Sequence, residues 1–141
     1  MNLNTRFTIG RLARLAGVGV DTVRFYERAG LLPRPPRTAG GYRSYAAADA
    51  DRLRFIRRAK SLGFSLEEIA DLLVLNAGRG DRAKVKAIAD KRLAELSARI
   101  RELSVIRDSL ARYAKSCSGH GPVKGCPIIE AVLANPENPE Q

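Results

Sequence analysis

Apolar positions fall at helical spacing in four short blocks and one long one. Ile9, Leu12, Ala13 and Ala16 share one helical face, with Thr8 placed to cap it. Gly17-Val18-Gly19-Val20 interrupts the pattern, which resumes from Asp21 with Val23, Phe25, Tyr26 and Ala29. Gly30 ends that block. Pro33, Pro35 and Pro36 stop it resuming, because proline lacks an amide hydrogen and crowds the preceding turn. Two short helices around a glycine-bearing turn predict a helix-turn-helix. Gly40-Gly41 between short extended stretches predicts a two-stranded hairpin, a wing, carrying Arg37, Tyr42, Arg43 and Tyr45. An ordinary surface loop is the alternative there.

A third helix is expected over 47–62, with Leu53, Phe55, Ile56 and Ala59 apolar and Arg52, Arg54, Arg57, Arg58 and Lys60 over much of the rest. Gly63 breaks it. Ser65 and Glu68 form a capping box, each satisfying a free amide at the helix start, and open a fourth helix through Ile69, Leu72, Leu73 and Leu75. Asn76-Ala77-Gly78-Arg79-Gly80 is the clearest break in the chain. From Asp81 to about Ser116 there is neither Pro nor Gly, and Ala89, Leu93, Leu96, Ile100, Leu103, Leu110 and Ala114 form a seam in steps of three and four. Arg107 occupies one expected position, beside Ile106. Such a helix is about 50 Å long at 1.5 Å per residue. One small domain cannot bury its stripe, so antiparallel pairing with the same helix of a second subunit is expected.

The organisation is therefore mainly α: a winged helix-turn-helix domain over 1–76, a hinge at 77–80, a dimerisation helix over 81–116, a loop and short helix over 117–134, and a disordered tail over 135–141.

Charge sharpens this picture. The 141 residues carry a net +10, and residues 1–60 alone hold 13 basic and 4 acidic side chains. That excess on the two-helix-and-wing region points to a polyanionic partner, most simply nucleic acid. A generally basic surface is the plainer alternative. No apolar run is long enough to span a membrane, and Met1 to Ile9 has no apolar signal region, so a cytoplasmic location is expected. The two cysteines are too few for a disulfide scaffold. No phosphate-binding glycine motif, His-Glu-x-x-His or paired-carboxylate constellation is found, which argues against an enzyme.

Both cysteines and the only histidine fall within ten residues, Cys117 to Cys126 with His120 between, in a loop of three glycines and one proline that Pro127 closes. Eight intervening residues can fold back and bring the sulfurs together. Thiolates are soft ligands for Cu(I), Zn, Hg and similar ions, and Lys115 and Lys124 are placed to favour thiolate. The spacing is not that of a zinc ribbon. Packed thiols and a disulfide switch remain alternatives. His120 is either a third ligand or an exposed loop residue.

The order of elements resembles the MerR family of transcription regulators. The matching stretches are Phe7-Thr8-Ile9-Gly10-Arg11-Leu12-Ala13, Val23-Arg24-Phe25-Tyr26-Glu27, Gly30-Leu31-Leu32 and Gly40-Gly41-Tyr42-Arg43-Ser44-Tyr45. Further on they are Arg54-Phe55-Ile56, Leu62-Gly63-Phe64-Ser65-Leu66-Glu67-Glu68-Ile69 and Cys117 to Cys126 with Pro127-Ile128-Ile129. The resemblance implies an antiparallel coiled-coil homodimer on a palindromic operator in double-stranded promoter DNA. Effector binding distorts that DNA and realigns the promoter for RNA polymerase, which is recognition partly by deformation. It also implies that the helix from Asp21 enters the major groove with Thr22, Arg24 and Tyr26, while Arg11, Arg14, Arg37, Tyr42 and Arg43 serve the backbone.

The lack of a long extra C-terminal domain resembles the metal-sensing branch. Members sensing divalent ions carry a third cysteine near the position of Arg82, and sensors of monovalent ions carry serine there. This chain has neither. The resemblance thus implies a two-coordinate Cys117–Cys126 site for Cu(I), Ag(I) or Au(I), with Arg82 offsetting the charge of two thiolates on a monovalent ion. The loop length resembles the divalent branch and keeps Zn, Cd, Pb or Hg, with His120 or water, as the alternative. A thiol-disulfide regulator and a purely architectural DNA-binding dimer are the competing classes.

Overall fold

The computed structural model describes residues 5–78 and 80–134. The tail expected over 135–141 lies outside them. In chain order the elements are β1 (Arg6–Phe7), α1 (Ile9–Ala16), α2 (Val20–Arg28), β2 (Tyr45–Ala46), α3 (Ala47–Ser61), α4 (Leu66–Asn76), α5 (Arg82–Ser116) and α6 (Pro127–Leu133).

The helix ends follow local chemistry. Thr8 caps α1, its hydroxyl accepting from the Arg11 amide at 3.3 Å. Gly17 terminates α1 at φ 69°, a left-handed conformation that glycine adopts without strain. The Ser65–Glu68 box forms as the sequence predicts: the Ser65 amide donates to Glu68 Oε2 at 2.8 Å, and the Glu68 amide to Ser65 Oγ at 3.2 Å. At the start of α3 the Asp49 carboxylate accepts from the Ala46 amide at 2.8 Å; alanine has no side-chain acceptor to return the bond.

The chain divides into two compact units between Arg92 and Leu93, inside α5. The break at 77–80 expected as the hinge does interrupt the helices, but compactness changes further on. The reason is local: Lys84, Ala87 and Ile88 of α5 line a cleft with Val74 and Leu75 of α4, and the Arg92 guanidinium lies against Gly63.

In the first unit α3 packs on α1 and α4, and α1 also packs on α2. Leu12, Val23, Leu32, Tyr45, Leu53, Ile56 and Ile69 are its largest fully buried side chains. β1 pairs antiparallel with β2, Arg6 opposite Ala46 and Phe7 opposite Tyr45. The sequence pattern did not disclose this pairing. The expected hairpin is reduced to one antiparallel bridge, Arg37 to Arg43, because the strand after the turn is taken up by the N-terminal segment.

In the second unit the rest of α5, the loop and α6 have no buried residue. Leu93, Leu96, Ile100, Leu103 and Leu110 of the seam are all exposed within one chain, Ile100 by 64%. No helix among the described residues is long and apolar enough to cross a membrane.

Candidate nucleic-acid interface and thiol loop

α2 presents Asp21, Arg24, Phe25 and Arg28 to solvent, with Thr22 half-buried. Arg24 pairs with Asp21 at 3.8 Å, and both are exposed, so the pair is weak and Arg24 is available to a ligand. Tyr26, expected from the sequence to face the groove, is instead a core residue with 7% exposure. The register of α2 turns it inward with Val23, three residues earlier, and puts Phe25 outside at 45% exposure. The two rings meet edge to face, with centroids 5.4 Å apart, which fixes the exposed ring.

The wing is tied by its own backbone. The Thr38 amide donates to Tyr42 O at 2.6 Å, the Gly41 amide to Thr38 O at 2.8 Å, and Arg37 Nη1 to Gly41 O at 2.8 Å. Gly41 sits at φ 82°, which a side chain would strain. Tyr42 stands at the tip, 75% exposed. Arg43 is half-buried, and its Nη1 donates to Pro35 O at 2.7 Å. It therefore braces the wing as well as charging it.

A buried carboxylate joins wing to helix. Glu27 of α2, its side chain 3% exposed, accepts from the Tyr45 hydroxyl at 2.6 Å and pairs with Arg34 Nε at 3.1 Å. Burial, and next the Glu27 carboxylate, push the Tyr45 hydroxyl far above its ordinary pKa, so it remains a donor. Thr8, Arg24, Arg37, Tyr42, Arg43 and Tyr45 then line a cleft of about 220 Å³ between α1, α2 and the wing. Its cationic rim suits a phosphate oxygen. Arg11 is exposed and lies 5.7 Å from the Phe7 ring centre; Arg14 is exposed in the last turn of α1.

In the C-terminal loop Cys117 follows the last turn of α5, and Cys126 precedes Pro127 at the start of α6. Both thiols are free and half-buried, with Sγ atoms 3.9 Å apart. A single ion with metal–sulfur bonds of about 2.3 Å can join sulfurs up to about 4.6 Å apart, so the pair fits a soft ion. The Ile129 amide above all, with that of Ile128, holds the Cys126 thiol below its ordinary pKa, although no capping hydrogen bond to the sulfur is closed. These amides, not the Lys115 and Lys124 that the sequence suggested, supply the positive potential on that sulfur.

His120 is exposed, and its backbone is held by Ser118: the amide donates to Ser118 Oγ at 3.3 Å and the carbonyl accepts from it at 3.1 Å. Among the described residues no group of three or more His, Cys, Asp or Glu side chains could hold a metal, so His120 does not complete a three-donor cluster with the cysteines.

Two family models match the chain: the MerR HTH family regulatory protein over residues 7–74, and MerR, DNA binding, over residues 50–113. The HTH-type transcriptional regulator ZntR of Escherichia coli K12 is 42% identical over 130 residues, 89% of this chain and 92% of that protein. The mercuric resistance operon regulatory protein of Serratia marcescens is 37% identical over 130 residues, 92% of this chain and 90% of that protein. Among solved structures, the transcription regulator PbrR691 of Ralstonia metallidurans CH34 in complex with lead(II) superposes with a TM-score of 0.78 at 34% identity, covering 89% of this chain and 98% of that one.

Proposed function

The chain belongs to the MerR family of helix-turn-helix regulatory proteins, and on that premise we propose that it is a metal-responsive transcription activator. It works as a homodimer on palindromic promoter DNA and serves metal-resistance or efflux promoters. α2 enters the major groove with Thr22 and Arg24. Arg11, Arg14, Arg37, Tyr42 and Arg43 hold the backbone on either side, positioning the dimer without reading bases. The exposed seam of α5 pairs with that of the second copy. Distortion of the operator then presents the promoter to RNA polymerase.

The observation that carries the effector reading is the free Cys117–Cys126 pair, 3.9 Å apart. These two residues would hold a thiophilic ion, which supplies a soft positive centre joining the sulfurs. Cu(I), or Ag(I) or Au(I), is favoured because a two-sulfur set suffices for a monovalent ion and no third donor groups with the pair among the described residues. Near Arg82, at the start of α5, where the resemblance places the third cysteine of divalent sensors, this chain has no thiol to offer. The chain does the rest: the loop glycines let Cys117 fold back on Cys126, and the Ile128 and Ile129 amides keep Cys126 ready to lose its proton.

A divalent ion is the second reading. It is favoured by the names of two relatives, the mercuric resistance regulator and the lead(II)-bound PbrR691. In-vitro transcription from the chain's own promoter with metals at buffered free concentration tests both. Activation by Cu(I) or Ag(I) and none by Zn(II), Hg(II) or Pb(II) is expected; the reverse pattern replaces the monovalent ion by a divalent one. Activation by oxidant with a chelator present would replace either with a disulfide switch. A Cys117→Ser, Cys126→Ser double variant that activates normally would remove the effector site altogether.

A further inference from the structure

Glu27 stands in the last turn of α2 with its side chain 3% exposed. Position and burial both oppose its charge. A carboxylate near a helix C-terminus faces the negative end of the dipole, and burial strips its water unless partners replace it. Folding alone would be served as well by an apolar side chain of similar size. The partners show what the charge adds. Oε2 accepts from Arg34 Nε at 3.1 Å, on the segment that enters the wing. Oε1 accepts from the Tyr45 hydroxyl at 2.6 Å, on the strand that leaves it. One carboxylate of α2 therefore holds both limbs of the wing, one oxygen to each. Arg43 Nη1, donating to Pro35 O at 2.7 Å, ties the two limbs to each other.

The wing projects from this clamp as a cantilever. Tyr42 at its tip is three residues from Tyr45, a reach of roughly 10 Å in extended chain. A tilt of about 10° at the base then moves the tip by about 2 Å, several times the spread of good hydrogen-bond lengths. Arg24 of α2 and Arg37, Tyr42 and Arg43 of the wing line one cleft, with Tyr45 as part of its wall. Groove and backbone contacts from these two elements can form together on one duplex only over a narrow range of pitch.

We infer that Glu27 is a positioning residue for operator recognition: its two oxygens set the pitch of the wing against α2, so that helix and wing seat on one duplex together. This rests on the proposed DNA-binding role. Glu27 itself touches no DNA and acts through Arg34 and Tyr45.

The test uses the full-length chain, a duplex that it selects from random DNA and an unrelated duplex of the same length. Glu27→Met, Tyr45→Phe is the central variant. It replaces the buried polar pair by apolar groups of similar shape, and the half-exposed Arg34 can turn to water, so thermal melting should match wild type. Affinity for the selected duplex should still fall by about 10-fold or more, the worth of a hydrogen bond to a charged group. Affinity for the unrelated duplex, and its slope against salt, should hold, because no cation is lost. Arg34→Gln cuts the entry limb alone and should lower the ratio of the two affinities by less. A central variant with wild-type melting and wild-type discrimination overturns the inference, since the pair is then packing only. Equal losses on both duplexes overturn it as well and make the Tyr45 hydroxyl a direct backbone contact. A shallower salt slope in Arg34→Gln would make Arg34 a phosphate ligand and not a limb of the clamp, and the inference falls with it. If the central variant melts low, Arg34→Gln decides: wild-type melting with unchanged discrimination again overturns the clamp. A wild-type chain that selects no duplex refutes the DNA-binding reading itself, a result distinguishable from all of these.

Discussion

Leu53 and Ile100 are both large aliphatic residues on helices of one chain, and their surroundings are opposite. Leu53 is fully buried in the first unit, while Ile100 in the second is 64% exposed. The first unit closes its own core from α1 to α4 around β1 and β2. The second lays out a seam of leucines with Ile100, which nothing among the described residues covers. A helix of this kind gains little from propensity alone and depends on packing its apolar face. The contrast teaches that one chain closes the core of its helix-turn-helix unit by itself but leaves the apolar seam of α5 for a second copy to cover.

Breaking the seam tests that contrast at its largest effect. Ile100→Asp puts a charge into the expected interface and should yield monomers in sedimentation equilibrium. Operator affinity should then fall by about 100-fold or more, because two linked half-site contacts become one. The first unit should keep its helical content in circular dichroism. A monomeric variant that still binds the full operator at wild-type affinity would refute the division of labour.

Breaking the core comes next. Ile56→Ala should cost about 2–5 kcal/mol in denaturant unfolding, for lost burial plus a cavity. Its effect should not depend on protein concentration. Ile100→Ala should show the opposite signature, a loss that grows on dilution. Equal, concentration-independent losses at both positions would mean that Ile100 is buried within its own chain after all.

How much of this was legible in the sequence depends on the range over which each feature is decided. Caps at Thr8 and Ser65 and the stop at Gly17 are settled within three or four residues, and they appear where the pattern puts them. The α5 seam was legible for the same reason, through its repeat. Tyr26 and Phe25 were not resolved, because two adjacent aromatics satisfy a helical period equally well and only the packing of α2 decides which turns inward. The β1–β2 pairing escaped notice because its strands are two residues each and nearly forty residues apart. The Glu27–Tyr45–Arg34 link likewise joins side chains from separate elements. At the thiol loop the sequence located both sulfurs. It pointed to lysines as the source of positive potential, since charges can be read from letters and the direction of an amide at a helix start cannot.

That last difference yields the smallest expected effect and sharpens the comparison between the two units. In the first, the carbonyls at the end of α1 are answered by arginines: Arg54 Nε donates to Leu15 O at 3.2 Å and Arg57 Nη1 to Ala16 O at 3.3 Å. In the second, the start of α6 is a pair of amides facing a sulfur. The Cys126 thiol is held below its ordinary value, so the folded loop favours thiolate. Its contribution to stability is fully present above the unfolded thiol pKa of about 8.5 and fades as pH falls through the depressed folded value. Reactivity follows the same titration. In a Cys117→Ser chain, where only Cys126 remains, iodoacetamide labelling should rise with a midpoint below about 8.5. Ile129→Pro removes the amide that contributes most and should return the midpoint toward that value, whereas Lys124→Ala should leave it in place. A midpoint that follows Lys124 and ignores Ile129 would restore the lysine explanation.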